Sequence, residues 1–342
     1  MTRRSALTAR RAVMGGLALV VGIGGIVVGA VREEAVVPAT AAAAPPSRAA
    51  ASDLRFLRRD DPARTTVVDA AGTVLATFTD GARTVTLDGP ERTFAEPQFA
   101  GAPVITRVWV RLLPEEWRAG AESAPWFRPW LQQNLGRTEP DVLAMATEYL
   151  DGAPEGRDAE GVRVRGDARY GPPAPGSAAP LENSDFVDYL GVSWRFADGE
   201  VRQGEPGRYG AVDCSGFIRL VYGYRAGYPL RADNERGPGL PRRARAMVEV
   251  GPGAVLLPDT GAPPSNLGVL QAGDLLFFDL DGAPDQRIDH SAIYLGRDAA
   301  GQHRFLSSRV RADGPTLGDL GGTSLLDGGG HYSRSFRAAK RL

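Results

Sequence analysis

One cysteine, Cys214, serves a chain of 342 residues. An internal disulfide is therefore impossible, and so is any metal site built on several cysteines. The fold has to stand on an ordinary hydrophobic core. Composition allows it: 43% of the residues are hydrophobic and 24% charged, the balance of a globular protein. A chain of this length holds two ordinary domains, or one with a tail and linkers. Histidine is almost as scarce, with only His290, His303 and His331. Any imidazole chemistry falls to those three, and their scatter lacks metal-ligand spacing. Neither a metal nor another cofactor is expected. The formal net charge of −1 supplies no field to gather nucleic acid or anionic lipid. Lys340 is the single lysine, so arginine carries nearly all the positive charge.

Residues 1–35 read as an export segment. Arg3, Arg4, Arg10 and Arg11 precede an apolar stretch from Ala12 to Val31, about 20 residues and long enough to cross a bilayer as a helix. Arginines on the near side favour a cytoplasmic N-terminus and an external remainder. The small residues from Ala39 to Ala44 offer cleavage sites like those of a secretory signal. Arg32, Glu33 and Glu34 separate those sites from the apolar stretch, which is long for a signal and favours an uncleaved membrane anchor. The expected location is extracytoplasmic, either anchored or secreted. Residues 36–52 are Ala/Pro-rich and read as a flexible tether.

From 53 to 150 the pattern is strand-rich. Thr65–Asp69 and Thr73–Phe78, joined across Ala70-Ala71-Gly72, predict a hairpin. Arg83–Leu87 and Val104–Leu112 predict further strands. Trp126–Leu135 and Asp141–Leu150 have helical spacing, with Pro140 suited to the first turn of the second. This segment has neither cysteine nor histidine, so it reads as a small α+β domain without chemistry of its own. Its tryptophans suit a core. Residues 151–183 are rich in Gly, Pro, Ala and charge and read as a linker. From 184 to 342 the chemistry begins. Asp185–Gly191 predicts a short helix ended by glycine. A helix starting at Cys214 follows, then a Gly/Pro/Arg-rich excursion over 229–266. Strands are predicted at Asp274–Asp279, His290–Leu295 and Arg304–Ser308.

Cys214 precedes the apolar run Ile218–Tyr222, so it opens a helix. Unpaired N–H groups and the positive end of the dipole there favour thiolate, the nucleophilic form. The plain alternative is a small buried hydrophobe, as most free cysteines are. Attack on an amide also needs an imidazole to carry the proton and a group to orient that imidazole. His290, opening a strand downstream, fits the first need.

At this point a family resemblance emerges. Asp213-Cys214-Ser215-Gly216-Phe217, Gly273-Asp274-Leu275-Leu276-Phe277-Phe278 and Asp289-His290-Ser291-Ala292-Ile293-Tyr294-Leu295-Gly296 resemble, in order, three signatures of the NlpC/P60 family. These are bacterial cysteine peptidases that cut peptidoglycan stem peptides. Tyr189–Trp194 resembles the segment leading to the cysteine. The resemblance covers 184–342 and leaves the N-terminal half unmatched. It implies a papain-like α+β domain, with the Cys helix packed on an antiparallel sheet that bears the His. It makes Cys214 the nucleophile and His290 the base.

Three departures stand out. The family's third catalytic residue, His or sometimes Asn or Gln, follows an aromatic-aliphatic pair. Here that pair is Phe305-Leu306, so Ser307 takes the position, with His303 as the second choice. His303 lies four residues earlier on the same strand face, about 13 Å away in extended chain. Tyrosine is common in the family where Trp194 stands near the oxyanion; Trp194 keeps one N–H donor and would either partly replace that hydroxyl or form a cleft wall. The remaining oxyanion donor would be the backbone N–H of Cys214. Asp213 and Ser215 flank the nucleophile at the cleft, and Asp213 also suits a helix cap. Long insertions at 196–210 and 229–266 should narrow the cleft. In the second, Arg242, Arg243 and Arg245 would either meet substrate carboxylates or be solvated. The expected function is an exported peptidoglycan endopeptidase acting near the γ-D-glutamyl–diaminopimelyl bond. The alternatives are an inactive wall-binding or regulatory module of the same fold, and a cysteine-dependent amidase or acyltransferase. Stem peptides are the expected partner, the membrane a second one if the N-terminal segment stays uncleaved.

Overall fold

The computed structural model describes residues 54–177, 179–282 and 287–342. The expected export segment and tether, 1–52, lie outside the described residues. No helix of the described residues is long and apolar enough to cross a membrane.

The chain first builds an antiparallel meander: β1 (Arg55–Arg59), β2 (Arg64–Val68), β3 (Val74–Thr79), β4 (Thr84–Phe94) and β5 (Val104–Leu112), in the order β1-β2-β3-β4-β5. The expected hairpin is β2–β3. Its turn needs a left-handed residue, and Gly72 (φ 87) supplies it at no steric cost. One face is covered by α1 (Phe127–Asn134). Phe78 stacks on Trp117 at 4.4 Å and meets Phe127 edge-on at 5.5 Å. Trp109 and Trp117 are core residues, as expected, with Trp126 and Trp130 packed at the margin. Then comes α2 (Val142–Thr147), shorter than its apolar spacing suggested, with Pro140 just outside it. Its cap, Asp141, accepts from Ala144 N–H at 3.0 Å, from Val110 N–H at 2.6 Å, and from Arg92 at 2.7 and 2.6 Å. One buried carboxylate thus starts the helix and ties it to β4 and β5.

Two small hairpins flank the next helix. β6 (Gly156–Arg157) pairs with β7 (Arg163–Arg165); α3 (Phe186–Leu190) follows; β8 (Ser193–Arg195) pairs with β9 (Val201–Gln203). α3 carries a capping box through Asp185 and Asp188 and ends at Gly191 (φ 69), where the sequence put its stop. Between these hairpins and α3, Arg169 bridges to Ala211, and Ala168 and Tyr170 are buried.

α4 (Cys214–Ile218) continues as a π-helical stretch, Arg219–Arg225. Then come α5 (Ala244–Glu249), β10 (Ala254–Leu257), β11 (Leu275–Phe278), β12 (His290–Arg297), β13 (His303–Arg309), β14 (Gly314–Thr316), α6 (His331–Ser335) and β15 (Phe336–Arg341). The strands form an antiparallel sheet in the order β10-β15-β11-β12-β13-β14. The C-terminal strand β15 is thus inserted between β10 and β11, which no local pattern announces. α4 packs on β12 and β13. Helices and antiparallel sheets are mixed throughout, the α+β arrangement expected.

The two sheets meet. Arg341 of β15 makes a buried bidentate pair with Asp274 at 2.7 and 2.8 Å and donates to Thr79 of β3 at 2.5 Å. Val104 and Val110 of β5 share one apolar cluster with Phe186, Phe217, Leu275 and Ile293.

Candidate active site

Asp213 fixes the start of α4. Its extended backbone turns the chain in, and its carboxylate accepts from Gly216 N–H at 2.7 Å. Arg242 grips the same carboxylate at 2.7 Å and donates to Ser215 Oγ at 2.7 Å, while Ser215 donates to Asp213 at 3.1 Å. Arg242 also approaches Asp185 at 3.6 Å, and Asp185 is bidentate with Arg219 at 2.9 and 3.0 Å. Two arginines and two aspartates therefore balance inside the protein beneath the helix that Cys214 opens. Gly216 is required by space: a Cβ there would sit 2.3 Å from the Ser184 carbonyl oxygen. Asp213, Ser215 and Arg242 thus form the seat of the cysteine. Arg243 and Arg245, by contrast, line the cavity beside it.

The Cys214 sulfur hydrogen-bonds the Asp289 carbonyl at 3.8 Å. The backbone and hydroxyl of Ser291 also reach it. The thiol is thereby seated against the residues on both sides of His290. Its ionisation runs against the helix-terminus expectation. Burial, then the Asp213 carboxylate, push the thiol up to about 12, against smaller pulls from Ser291 and Arg242. The reason is one of size. A surface helix terminus is worth about 0.3–1 kcal/mol, and α4 is only five residues long. Desolvation of a buried charge shifts a pKa by up to several units.

His290 opens β12, opposite Phe278. Its ring packs 5.8 Å from Phe278 and 5.6 Å from Tyr332. Burial, then the charges of Arg309 and His331, hold the imidazole down to about 3. Its Nε2 is buried without a hydrogen-bond partner. At neutral pH both thiol and imidazole are therefore uncharged.

Ser307 is fully buried, and its hydroxyl accepts from Arg309 Nε at 2.9 Å. His303 is not brought to His290. It pairs with Arg297 at the opposite end of β12, bonds the Tyr294 hydroxyl at 2.6 Å, and lines a separate cavity with Val104 and Ile105. Trp194 is engaged elsewhere by its ring contacts. It meets Phe186 and Tyr224 edge-on at 5.5 and 5.7 Å.

Two cavities border the pair. One, of about 400 Å³, is lined by His290, Arg309, Arg311, His331 and Tyr332. The other, of about 270 Å³, is lined by Cys214, Asp213, Ser215, Arg243 and Arg245. Tyr170, Glu182 and Asp289 line both. Tyr170 escaped sequence reasoning because it lies in the Gly/Pro-rich stretch. A lone buried-type residue between Arg169 and Gly171 was the only signal. Burial raises its phenol, with Cys214 the next contributor. Tyr332 and Arg309 escaped too, one near the C-terminus and one just past the end of the predicted strand Arg304–Ser308.

Among the described residues, Asp279, Asp281 and Asp289 bring carboxylate oxygens within 4.8 Å of one another, the geometry a cation would need. Asp289 already accepts from the N–H groups of Leu280 and Asp281, both at 2.9 Å, and Asp279 pairs with Arg337 at 3.3 Å.

Residues 202–316 match the model of the NlpC/P60 family. No curated protein matches the chain. Among solved structures, a protein described as similar to lipoprotein, NLP/P60 family, from Staphylococcus aureus subsp. aureus Mu50 is similar to this chain at 18% identity and a TM-score of 0.28, over 66% of this chain and 54% of that one. This chain therefore spans about half the length of that protein. The matched residues contain Cys214, His290 and Ser307, and they carry the likeness to the NlpC/P60 family within the C-terminal half of the chain.

Proposed function

We propose that the chain is an extracytoplasmic cysteine endopeptidase of the bacterial cell envelope that hydrolyses amide bonds in peptidoglycan stem peptides. In this reading 1–35 export or anchor it, 36–52 tether it, and 184–342 do the chemistry. The observation that carries the proposal is the seat of the Cys214 sulfur: at the start of an Asp-capped helix, in contact with both neighbours of His290.

The chemistry begins from neutral partners. As the sulfur attacks the scissile carbonyl carbon, its proton passes to the His290 imidazole. The C–S bond forms, and the carbonyl π pair moves to oxygen. The Cys214 backbone N–H faces that oxyanion, and the Tyr170 hydroxyl offers a second donor from the cleft wall. The imidazolium returns its proton to the leaving amine as the C–N bond breaks, leaving a thioester. Water, deprotonated by His290, then attacks the thioester carbon and expels the thiol. Substrate carboxylates meet Arg243 and Arg245 at the rim.

Incubation of purified muropeptides with the Cys214→Ala protein tests this. Loss of cleavage to the uncatalysed level supports it, and undiminished cleavage refutes it. A second reading, a wall-peptide binder of the same fold, is favoured by one observation. His290 Nε2 has no partner, and the Ser307 hydroxyl is engaged by Arg309. Wild-type protein that binds muropeptides and leaves them intact would establish that reading. Product analysis separates an amidase or acyltransferase from an endopeptidase.

A further inference from the structure

The first sheet reaches the back of the site. After β4, Glu96 is 4% exposed. One of its oxygens, Oε2, accepts three hydrogen bonds from the end of β14 and the residues after it: Thr316 Oγ1 at 2.7 Å, Leu317 N–H at 2.9 Å and Gly318 N–H at 3.0 Å. Three donors on one oxygen is an anion seat, and it lies entirely between the two sheets. Nearby, Asp319 N–H donates to the Phe99 carbonyl at 2.6 Å. The fit at Gly318 is close. A Cβ there would stand 2.4 Å from Phe99 Cβ and 2.8 Å from its carbonyl carbon and oxygen.

Gly318 is held from its other side by Arg309. The guanidinium donates to the Gly318 carbonyl at 3.3 Å, to Leu320 at 3.4 Å, to Gly322 at 2.7 Å, to Ser324 Oγ at 2.6 Å and to Ser307 Oγ at 2.9 Å. Its carbon lies 4.3 Å from the Tyr332 ring centre, and that ring packs on His290. A continuous chain of contacts runs from Glu96 through Gly318 and Arg309 to Tyr332 and His290. Each side chain in it is buried. Of its hydrogen bonds, only the one to Ser307 touches the position expected to orient the histidine.

We propose that Glu96 is a positioning residue for His290: the loop after β4 braces Gly318, which sets Arg309 and Tyr332 against the imidazole. The first sheet is thus part of the site's support. The imidazole, flanked by Phe278 and Tyr332, is held by packing rather than by a hydrogen bond to its Nε2. Only the functional consequence rests on the peptidase reading; the structural claim does not.

The test uses ring-labelled histidine in the full chain, where three imidazoles give three separable sets of NMR signals. Glu96→Ala should move the His290 ring resonances and leave those of His303, which is bonded to Tyr294 at the opposite end of its strand. Glu96→Gln keeps an acceptor oxygen and should restore the His290 signal toward wild type. Gly318→Ala changes no charge and should reproduce the Glu96→Ala shift by wedging the loop apart. If Glu96→Ala fails to fold, Gly318→Ala and Thr316→Val, which removes one of the three donors, carry the test. His290 signals unmoved in folded Glu96→Ala or Gly318→Ala would overturn the proposal. So would equal displacement of His290 and His303. Where the protein cleaves muropeptides, Glu96→Ala should lower kcat about ten- to a hundredfold with little change in KM, the pattern of a misplaced catalytic group. The NMR readout stands even if Cys214→Ala shows there is no hydrolysis to measure.

Discussion

The first sheet and the second solve burial differently. β2 and β3 alternate buried and half-buried positions, because only one face meets the α1 side and its aromatic core. β11 and β13 are buried at every position, and β12 at its first six, because apolar clusters lie on both faces. Charged pairs divide less cleanly, since Arg92 of β4 reaches the buried Asp141, but the pairs between strand residues and their neighbours show the contrast. Arg107–Asp88 in the first sheet is at the surface, with the arginine half exposed. Arg341–Asp274 and Arg304–Asp298 in the second are buried. In a strand covered on one face, a polar residue needs no explanation. In a strand covered on both faces, each polar side chain carries a desolvation cost and must have a use. His290, Ser291, Ser307, Ser308 and Arg309 are the polar residues of the covered strands nearest the sulfur. Ser308 bonds the Val212 carbonyl at 2.7 Å, just before Asp213, the cap of α4.

The largest effect expected is on chemistry. Cys214→Ala should remove muropeptide cleavage altogether while thermal unfolding stays near wild type, since a small side chain is shortened by one atom. Next comes the contrast between the sheets. Arg341→Ala leaves the buried Asp274 unpaired and should cost about 3–5 kcal/mol in denaturant unfolding. Arg107→Ala should cost about 1 kcal/mol or less. Equal losses would erase the distinction between the two sheets.

Much of this was legible in advance for the reason just given. Alternation on β2, β3 and β5 and apolar runs at β11 and β12 are local signals, and the observed strands fall on them. Asp185 with Gly191 marked α3 at both ends. What local pattern cannot carry is pairing. β15, between β10 and β11, and the contact of Glu96 with Gly318 join residues far apart in sequence. Cys214 and His290 stood out as candidates because their motifs are contiguous. The ionisation of Cys214 was not, because burial outweighs the local helix terminus. Trp194 was expected as an oxyanion donor or a cleft wall; its ring packs on Phe186 and Tyr224. Tyr170 lies where composition suggested a linker.

Smaller effects test the neutral pair. At a thiol pKa of about 12, alkylation of Cys214 by iodoacetamide at pH 8 should be on the order of a thousandfold slower than for an unhindered thiol. Fast alkylation well below pH 8 would mean that the helix terminus wins after all. For His290 the folded value of about 3 lies below the unfolded 6.5, chiefly through burial and then through Arg309 and His331. Unfolding therefore binds a proton that the folded protein refuses. This contribution to stability is fully present above pH 6.5 and is lost as pH falls toward 3. His290→Phe keeps the ring and removes the proton site. Its stability relative to wild type should be flat above pH 6.5 and improve below it by on the order of a few kcal/mol, read by denaturant midpoints across pH. A parallel course for the two proteins would place His290 in contact with solvent.

The smallest effect compares two aromatic residues on the flanks of the site. Trp194 packs on Phe186 and Tyr224, whereas Tyr170 lines both cavities beside Cys214. Trp194→Phe keeps an aromatic ring in that cluster and should leave kcat/KM within about twofold, with at most about 1–3 kcal/mol lost from packing. Tyr170→Phe removes only a hydroxyl. If that hydroxyl donates to the oxyanion, kcat should fall, in the manner of a missing donor at such a site, by about a hundredfold or less, with KM little changed. The reverse order of effects would return the oxyanion role to Trp194. It would also mean that the β8–β9 hairpin closes over the cleft when substrate binds.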